Sequence, residues 1–135
     1  FTASGFVASP DGSKLLLVEH ARLERWLQPG GHIEGADVTV EEAARREVAE
    51  ETGVTDLVRL GSGILRIDAH RIPPRDDEPA HLHMDLGFGF RAQTEEIGVI
   101  DEVLDARWVP FTELDRYHVD NAVARGAERL KELLD

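Results

Sequence analysis

Alternation of apolar and polar residues is clearest between positions 81 and 91. Every second side chain there is large and apolar, in the order Leu82, Met84, Leu86, Phe88 and Phe90. Because successive residues of a strand point to opposite faces, this pattern predicts a strand whose apolar face lies in the core. The opposite face then carries polar side chains and glycines.

Shorter apolar segments predict the remaining strands. The run from Leu15 to Val18 is apolar at every position, which is typical of a central strand covered on both faces. Between 63 and 72, Arg66, Asp68 and His70 alternate with apolar residues, which predicts a strand with one polar face. The other predicted strands are 1–9, 14–19, 26–27, 57–60 and 106–109.

The helical segments have recognisable start and stop signals. Thr39 followed three residues later by Glu42 is a capping-box pattern, and Gly53 suits the left-handed position just past a helix end. Apolar spacing predicts a closing amphipathic helix over 121–134, and a short helix over 111–117 with Thr112 as its cap. Strands around one helix, followed by an amphipathic helix, predict an α+β fold, specifically an α/β/α sandwich with a mixed sheet between helices.

Size and charge restrict the classes of function. A chain of 135 residues predicts a single domain over 1–135. Its formal net charge of −12 argues against broad contact with nucleic acid, which requires a basic surface. The chain has no cysteine and therefore no disulfide framework. No apolar run is long enough to span a membrane and no secretory signal is visible, so we expect a cytoplasmic protein. Because the chain begins at Phe1, we also expect that upstream residues are missing.

Three carboxylates on the predicted helix give the first indication of chemistry. Glu47, Glu50 and Glu51 stand at i, i+3 and i+4, so they share one helix face. Their mutual repulsion would be offset by a divalent cation that prefers oxygen ligands, with Arg46 as an orienting partner. The simpler alternative is a solvated acidic face. We also expect two small residues one turn upstream, Ala43 and Ala44, to leave room for a ligand.

The segment from Gly31 to Val54 resembles the Nudix box. In that pattern a glycine, five residues, a glutamate and seven residues precede Arg-Glu-U-x-Glu-Glu-x-Gly-U, where U is a bulky aliphatic residue. Gly31 matches the first glycine, and residues 46–54 match the second half without exception. The middle departs from the pattern, because Asp37 stands in place of the glutamate and one extra residue separates it from Arg46.

The resemblance implies a fold, a reaction and a ligand set. A Nudix hydrolase would use metal-activated water to cleave a phosphoanhydride bond in a nucleoside diphosphate derivative, with Mg²⁺ as the metal and Mn²⁺ as a substitute. By resemblance, the metal would be held by the carbonyl of Gly31 and by Glu47, Glu50 and Glu51. Glu47, oriented by Arg46, is one candidate general base, and Glu102 is the competing candidate.

Substrate-binding residues are less well defined by the sequence. The candidates outside the box are Phe6, Arg25, Arg66, His83, Asp85 and Arg91, which form no known recognition code. A nucleotide, a nucleotide sugar, ADP-ribose and a dinucleoside polyphosphate all remain open, and we expect a small nucleotide rather than a polymer. The His-x-His-x-Asp string at 81–85 is a weak zinc signal, so we interpret it as polar lining of a cleft.

Two further expectations follow from the resemblance. The alternative function is a non-catalytic nucleotide-binding or regulatory Nudix domain, which we would expect to have lost a box glutamate, whereas this chain retains them all. The chain is also compatible with a homodimer.

Overall fold

The computed structural model describes residues 1–21, 23–74, 76–98 and 103–135. The strands are β1 Thr2–Ala8, β2 Lys14–His20, β3 Arg25–Leu27, β4 Gly30–His32, β5 Leu57–Leu60, β6 Arg66–Ile72, β7 His81–Ala92 and β8 Asp105–Pro110. The helices are α1 Val40–Thr52, α2 Asn121–Leu134 and a 3₁₀ helix, Phe111–Tyr117. Among these described residues, no helix is both long enough and apolar enough to cross a membrane.

Strand β1 organises the sheet. It pairs in parallel with β7, from Thr2 opposite Asp85 to Ala8 opposite Arg91. On its other edge, the first residues of β1 pair antiparallel with β4 and the last residue pairs with β2. Strand β7 is long enough to pair with β6 along its first half and with β5 along its last residues. The sheet is mixed, as predicted, and it places β4 beside the start of β1.

The two α-helices cover opposite faces of this sheet. Helix α1 packs over a cluster that includes Val7 and Phe90, and α2 packs over a second cluster that includes Phe6 and Leu130. Strand β2 contributes to both clusters, since Leu16 lies in the first and Leu15 in the second. The predicted α+β sandwich is therefore confirmed, and so is the central position of β2.

Helix α1 begins and ends where the sequence predicts. The Thr39 hydroxyl accepts a hydrogen bond of 3.1 Å from the Glu42 backbone N–H, which is the expected cap. Gly53 has φ 74°, a left-handed conformation that favours glycine. The expectation for Ala43 and Ala44 is wrong, because both are fully buried in the cluster beneath α1. Their small size lets the helix lie close to the sheet and leaves no room for a ligand.

Two other predictions need correction. Leu82 is 60% exposed, because the cluster beneath α1 includes β7 only from Leu86 onward. The apolar face of β7 is therefore core along its second half only. The 3₁₀ helix follows Pro110 without any side-chain cap, so the prediction that Thr112 caps it is wrong.

Close approach of α2 to the sheet generates a prediction. A Cβ built on Gly126 would lie 2.0 Å from the ring of Phe6, which is itself buried. We expect Gly126→Ala to destabilise the protein by about 1 kcal/mol, because overpacking a core costs about 1–3 kcal/mol and the helix-propensity gain of about 1 kcal/mol offsets only part of that cost. Urea unfolding measures this change. Arg125→Ala on the exposed side of the same helix is the control, and equal stabilities of the two variants would contradict the packing argument.

Candidate active site

Glycine is required at Gly30 and Gly31 because the backbone passes very close to its neighbours. A Cβ built on Gly30 would lie 2.6 Å from the Cβ of Ser4, and a Cβ built on Gly31 would lie 2.6 Å from the carboxylate of Glu47. Any side chain at either position would therefore push β4 away from β1 or from α1. The two halves of the box motif meet in this contact, which holds Glu47 against the turn.

Arg46 is the centre of the charged groups around the turn. Its Nε and Nη2 donate to the two carboxylate oxygens of Asp37, both at 3.0 Å. Its Nη1 donates to Glu47 at 2.9 Å and to both oxygens of Glu50 at 3.2 Å. Nη2 also donates to the backbone carbonyl of His32 at 2.9 Å. One guanidinium thus ties the loop before α1, strand β4 and the helix carboxylates together.

The two hydrogen bonds from Arg46 fix the position of the Asp37 side chain. Its side chain is 7% exposed, and it also accepts a hydrogen bond of 2.8 Å from the backbone N–H of Glu34. The hydrogen bonds from Arg46 lower the pKa of Asp37 below its ordinary value, and Asp37 in turn is the main cause of the raised pKa of Arg46. The residue that departs from the box pattern is therefore a positioning residue for Arg46.

The other two box carboxylates differ in their surroundings. Glu51 is 5% exposed and its Oε1 accepts a hydrogen bond of 2.9 Å from the backbone N–H of Gly30. The side chain of Glu50 is 45% exposed. In the described part of the chain, no three acidic or histidine side chains converge closely enough to hold a metal ion. Glu47 and Glu50 are instead turned toward Arg46, so metal binding would require their carboxylates to rotate.

The donor set nevertheless fits a divalent cation. Around Arg46 stand the carboxylates of Asp37, Glu47, Glu50 and, at 3.5 Å, Glu34. A single guanidinium charge leaves this group strongly negative, and its oxygen ligands are those that Mg²⁺ and Mn²⁺ prefer. Because Gly31 has no Cβ, the Glu47 carboxylate can lie directly against the turn.

A cleft of about 850 Å³ adjoins the box on the α2 side of the sheet. Gly30, Gly31 and Glu51 form one wall. The start of α2, polar residues of β6 and β7, and parts of β1, β2 and β3 contribute to the remaining walls. The cleft therefore reaches the box at Gly30, Gly31 and Glu51.

A network of hydrogen bonds crosses the floor of the cleft. Thr2 and Ser4 of β1 donate their hydroxyl hydrogens to the two oxygens of Asp85, at 2.7 and 2.6 Å. Gln28 lies at 3.4 Å from the same carboxylate. The parallel register of β1 and β7 produces this arrangement, because it sets Thr2 opposite Asp85. Two hydroxyl groups of β1, which lie more than 80 residues away in sequence, thus hold the Asp85 side chain in place.

Two histidines lie next to this network. The rings of His70 and His83 are 5.0 Å apart, and His83 Nε2 lies 3.3 Å from the Thr2 hydroxyl oxygen. Burial, followed by the proximity of His70, lowers the pKa of His83 below its ordinary value. The neutral ring of His83 is therefore favoured at neutral pH.

The structure brings together only some of the predicted substrate-binding residues. Arg25, His83 and Asp85 line the cleft, and Arg25 forms an ion pair of 3.1 Å with Asp120 at the start of α2. Arg66 lies beside the cleft, 3.5 Å from Asp68. Arg91 stands at the far end of β7, opposite Ala8, and is not brought to the cleft. The prediction for Phe6 is wrong, because its ring is buried in the cluster beneath α2.

Other residues of the site carried little signal in the sequence. The alternative base Glu102 lies outside the described residues. Thr2, Ser4 and Gln28 were not predicted, because small hydroxyl residues in a strand and an isolated glutamine have no distinctive spacing. Asp120 was missed as well, although it caps α2 by accepting from the backbone N–H of Val123, and an aspartate directly before a helix indicates such a cap.

Comparison with known proteins agrees with this geometry. The model of the NUDIX domain matches residues 2–133. A protein of Mycobacterium tuberculosis named as mutator protein MutT4 is 35% identical over 112 residues, which cover 82% of this chain and 42% of that protein. The chain thus spans less than half the length of this curated relative. The chain belongs to the Nudix hydrolase family, as its box predicted.

Solved structures confirm the fold. A Nudix-family hydrolase from Clostridium perfringens has a TM-score of 0.79 at 24% identity, with 100% of this chain and 97% of that chain covered. The NUDIX domain of Shewanella oneidensis NrtR, complexed with ADP ribose, has a TM-score of 0.75 at 20% identity, with coverages of 99% and 87%. An Ap4A hydrolase of C. elegans has a TM-score of 0.75 at 13% identity, with coverages of 98% and 96%. At these identities the likeness shows the fold alone.

The Asp37–Arg46 pair predicts a pH dependence of stability. Because the pKa of Asp37 is lowered below 3.8 in the folded state, its contribution is fully present above that pH and is lost as the pH falls through the lowered folded value. We expect Asp37→Asn to be less stable than the wild type at pH 7, and the difference to shrink below about pH 4.

Urea unfolding across this pH range measures the difference in free energy. Asp115→Asn, an exposed change in the 3₁₀ helix, is the control and should match the wild type throughout. A difference between wild type and Asp37→Asn that persists unchanged to about pH 3 would show that the pair is not its source.

Proposed function

We propose that this chain hydrolyses a phosphoanhydride bond in a small nucleoside diphosphate derivative, with Mg²⁺ as cofactor and Mn²⁺ as a substitute. The observation that supports this most directly is the continuity of the site, since Gly31 and Glu51 of the box line the same cleft as the Thr2–Asp85 network. Phosphates held at the box would place the rest of the substrate in the cleft. Family membership supports the same class of enzyme.

Each box residue has a role in this proposal. Glu47, Glu50, Glu51 and the carbonyl of Gly31 would hold the divalent metal. When bound, the metal would neutralise phosphate oxygens and lower the pKa of a coordinated water. Arg46 fixes the position of Glu47 through its 2.9 Å hydrogen bond, and Asp37 fixes Arg46. We assign Glu47 as the general base and keep Glu102 as the competing candidate.

A small substrate fits the cleft better than a polymer does. Its volume of about 850 Å³ lies within the range of about 300–1,000 Å³ typical of sites for small ligands. A net charge of −12 disfavours a long polyanion. ADP ribose and Ap4A, which appear in the names of the two solved relatives, are both derivatives of the proposed kind.

Hydrolysis is preferred to binding alone. The alternative, a regulatory or nucleotide-binding Nudix domain, would not need the complete set of box glutamates, of which Glu47 and Glu51 are buried. All the glutamates of the second half of the box are present here. We also retain three proposals that rest on the sequence, namely one domain over 1–135, a cytoplasmic location and compatibility with a homodimer.

Substitution of the box glutamates tests the proposal. We expect Glu50→Gln or Glu51→Gln to lower Mg²⁺-dependent turnover by about a hundredfold or more, because each change removes a charged ligand from the metal site. The fold should survive. Glutamine at position 51 keeps the oxygen that accepts from Gly30, and position 50 is half-exposed.

The assay incubates a panel of nucleoside diphosphate derivatives with Mg²⁺ or Mn²⁺ and measures released phosphate and nucleoside monophosphate. Circular dichroism and thermal unfolding verify that each variant is folded. Glu128→Gln, the same change on the exposed surface of α2, is the control and should retain full activity. Wild-type rates in folded Glu50→Gln and Glu51→Gln at saturating Mg²⁺ would contradict the proposal.

A further inference from the structure

Asp85 is held in one orientation on the floor of the cleft. The Thr2 hydroxyl donates to its Oδ1 at 2.7 Å and the Ser4 hydroxyl to its Oδ2 at 2.6 Å. Each carboxylate oxygen can accept a second hydrogen bond, and Gln28 Nε2, 3.4 Å from Oδ2, occupies that position on Oδ2. The residue is only partly buried and lines the cleft, so the remaining acceptor position on Oδ1 can be reached by a ligand.

The hydrogen positions around Asp85 follow from these two bonds. Because the Thr2 hydroxyl hydrogen points to Asp85, its 3.3 Å contact with His83 Nε2 requires the hydrogen to lie on Nε2. The neutral ring of His83 then has an acceptor at Nδ1.

The orientation of Gln28 follows in the same way. Its Nε2 lies 3.5 Å from the Ser4 hydroxyl oxygen and 3.4 Å from Asp85. Both neighbours have only acceptor capacity left, so the amide nitrogen must face them. Its Oε1 is buried and accepts no hydrogen bond from the described residues. This end of the cleft therefore has more acceptors than donors.

Several donors elsewhere in the cleft are also occupied by carboxylates. Arg25 donates to Asp120 across the cleft at 3.1 Å. His70 Nδ1 lies 3.3 Å from Asp68. The Gly30 backbone N–H donates to Glu51. A ligand that brought only further acceptors would face carboxylate oxygens without donors, which costs free energy on burial.

We propose that Asp85 is a specificity-determining residue that selects nucleotides whose base carries an exocyclic amino group. An amino group donates to the carboxylate, whereas a keto oxygen at the same position meets it acceptor to acceptor. The cleft thus prefers adenine, guanine and cytosine nucleotides to the hypoxanthine and uracil nucleotides that lack the amino group. This inference rests on the proposed function for the placement of the base in the cleft.

Binding of matched nucleoside monophosphates tests the inference without turnover. The pairs are AMP and IMP, and CMP and UMP, in which a keto oxygen replaces the amino group. Each nucleotide is titrated calorimetrically without added metal. We expect the amino-bearing member of each pair to bind about tenfold more tightly, a difference of about 1.4 kcal/mol. Equal affinities within the pairs, or no binding by any member, would overturn the inference.

Substitution of Asp85 identifies the residue that reads the base. In Asp85→Asn the side-chain amide can donate to a keto oxygen as well as accept from an amino group, so the preference should disappear. Asp115→Asn is the matched control and should keep the tenfold preference. If folded Asp85→Asn kept the wild-type preference, Asp85 would not be the determinant.

Two further measurements distinguish recognition of the base from recognition of the sugar and from a role in turnover. A preference for ribonucleotides over deoxyribonucleotides, with none between amino and keto bases, would show that the cleft reads the sugar and would overturn the inference. In the turnover assay, Asp85→Asn should raise KM for amino-bearing substrates and leave kcat nearly unchanged. If no derivative is hydrolysed but the binding preference is found, the proposed function fails while the assignment of Asp85 stands.

Discussion

The structure of the site depends on one guanidinium that is shared among several carboxylates. Arg46 binds Asp37 through two parallel hydrogen bonds and reaches Glu47 and Glu50 through its remaining nitrogen. Bidentate pairing fixes the plane of the guanidinium, which a lysine could not do. Because one positive charge faces several negative ones, the group is geometrically ordered yet still negatively charged. We propose that this combination is what would allow the box to bind a divalent cation.

The fold maintains this arrangement through close backbone approach. Strand β4 lies against β1 at Gly30 and against Glu47 at Gly31, positions where no side chain fits. The same placement brings the box to the edge of the cleft on the α2 side of the sheet. The charged box and the hydrogen-bonded floor of the cleft consequently use different chemistry on adjacent surfaces. Oxygen ligands at the box suit a divalent metal, which would in turn attract phosphate, whereas the acceptor-rich floor suits a group that donates hydrogen bonds.

Local patterns in the sequence predict much of this structure, and long-range pairing accounts for what they miss. Thr39 and Gly53 mark the ends of α1, and helical spacing alone puts Glu47, Glu50 and Glu51 on one side. The Asp37–Arg46 pair depends on the path of the loop before α1. The sequence does not reveal this pair, because the extra residue in the box changes the spacing between the two residues. Strand alternation correctly put Asp85 and Arg91 on one face, but only the register of β1 with β7 shows that Asp85, and not Arg91, lies at the end of β1 that pairs with β4. That register is parallel and joins segments about 80 residues apart, so no short pattern contains it.

Above all, we propose that the box carboxylates Glu47, Glu50 and Glu51 bind a divalent cation. Titration of Mn²⁺ followed by electron paramagnetic resonance of the free ion measures this directly, in the wild type, in Glu50→Gln and in the surface control Glu128→Gln. We predict saturable binding in the wild type and the control, and affinity at least about tenfold weaker in Glu50→Gln. Equal affinity in all three proteins, or no saturable binding in the wild type, would contradict this role of the box.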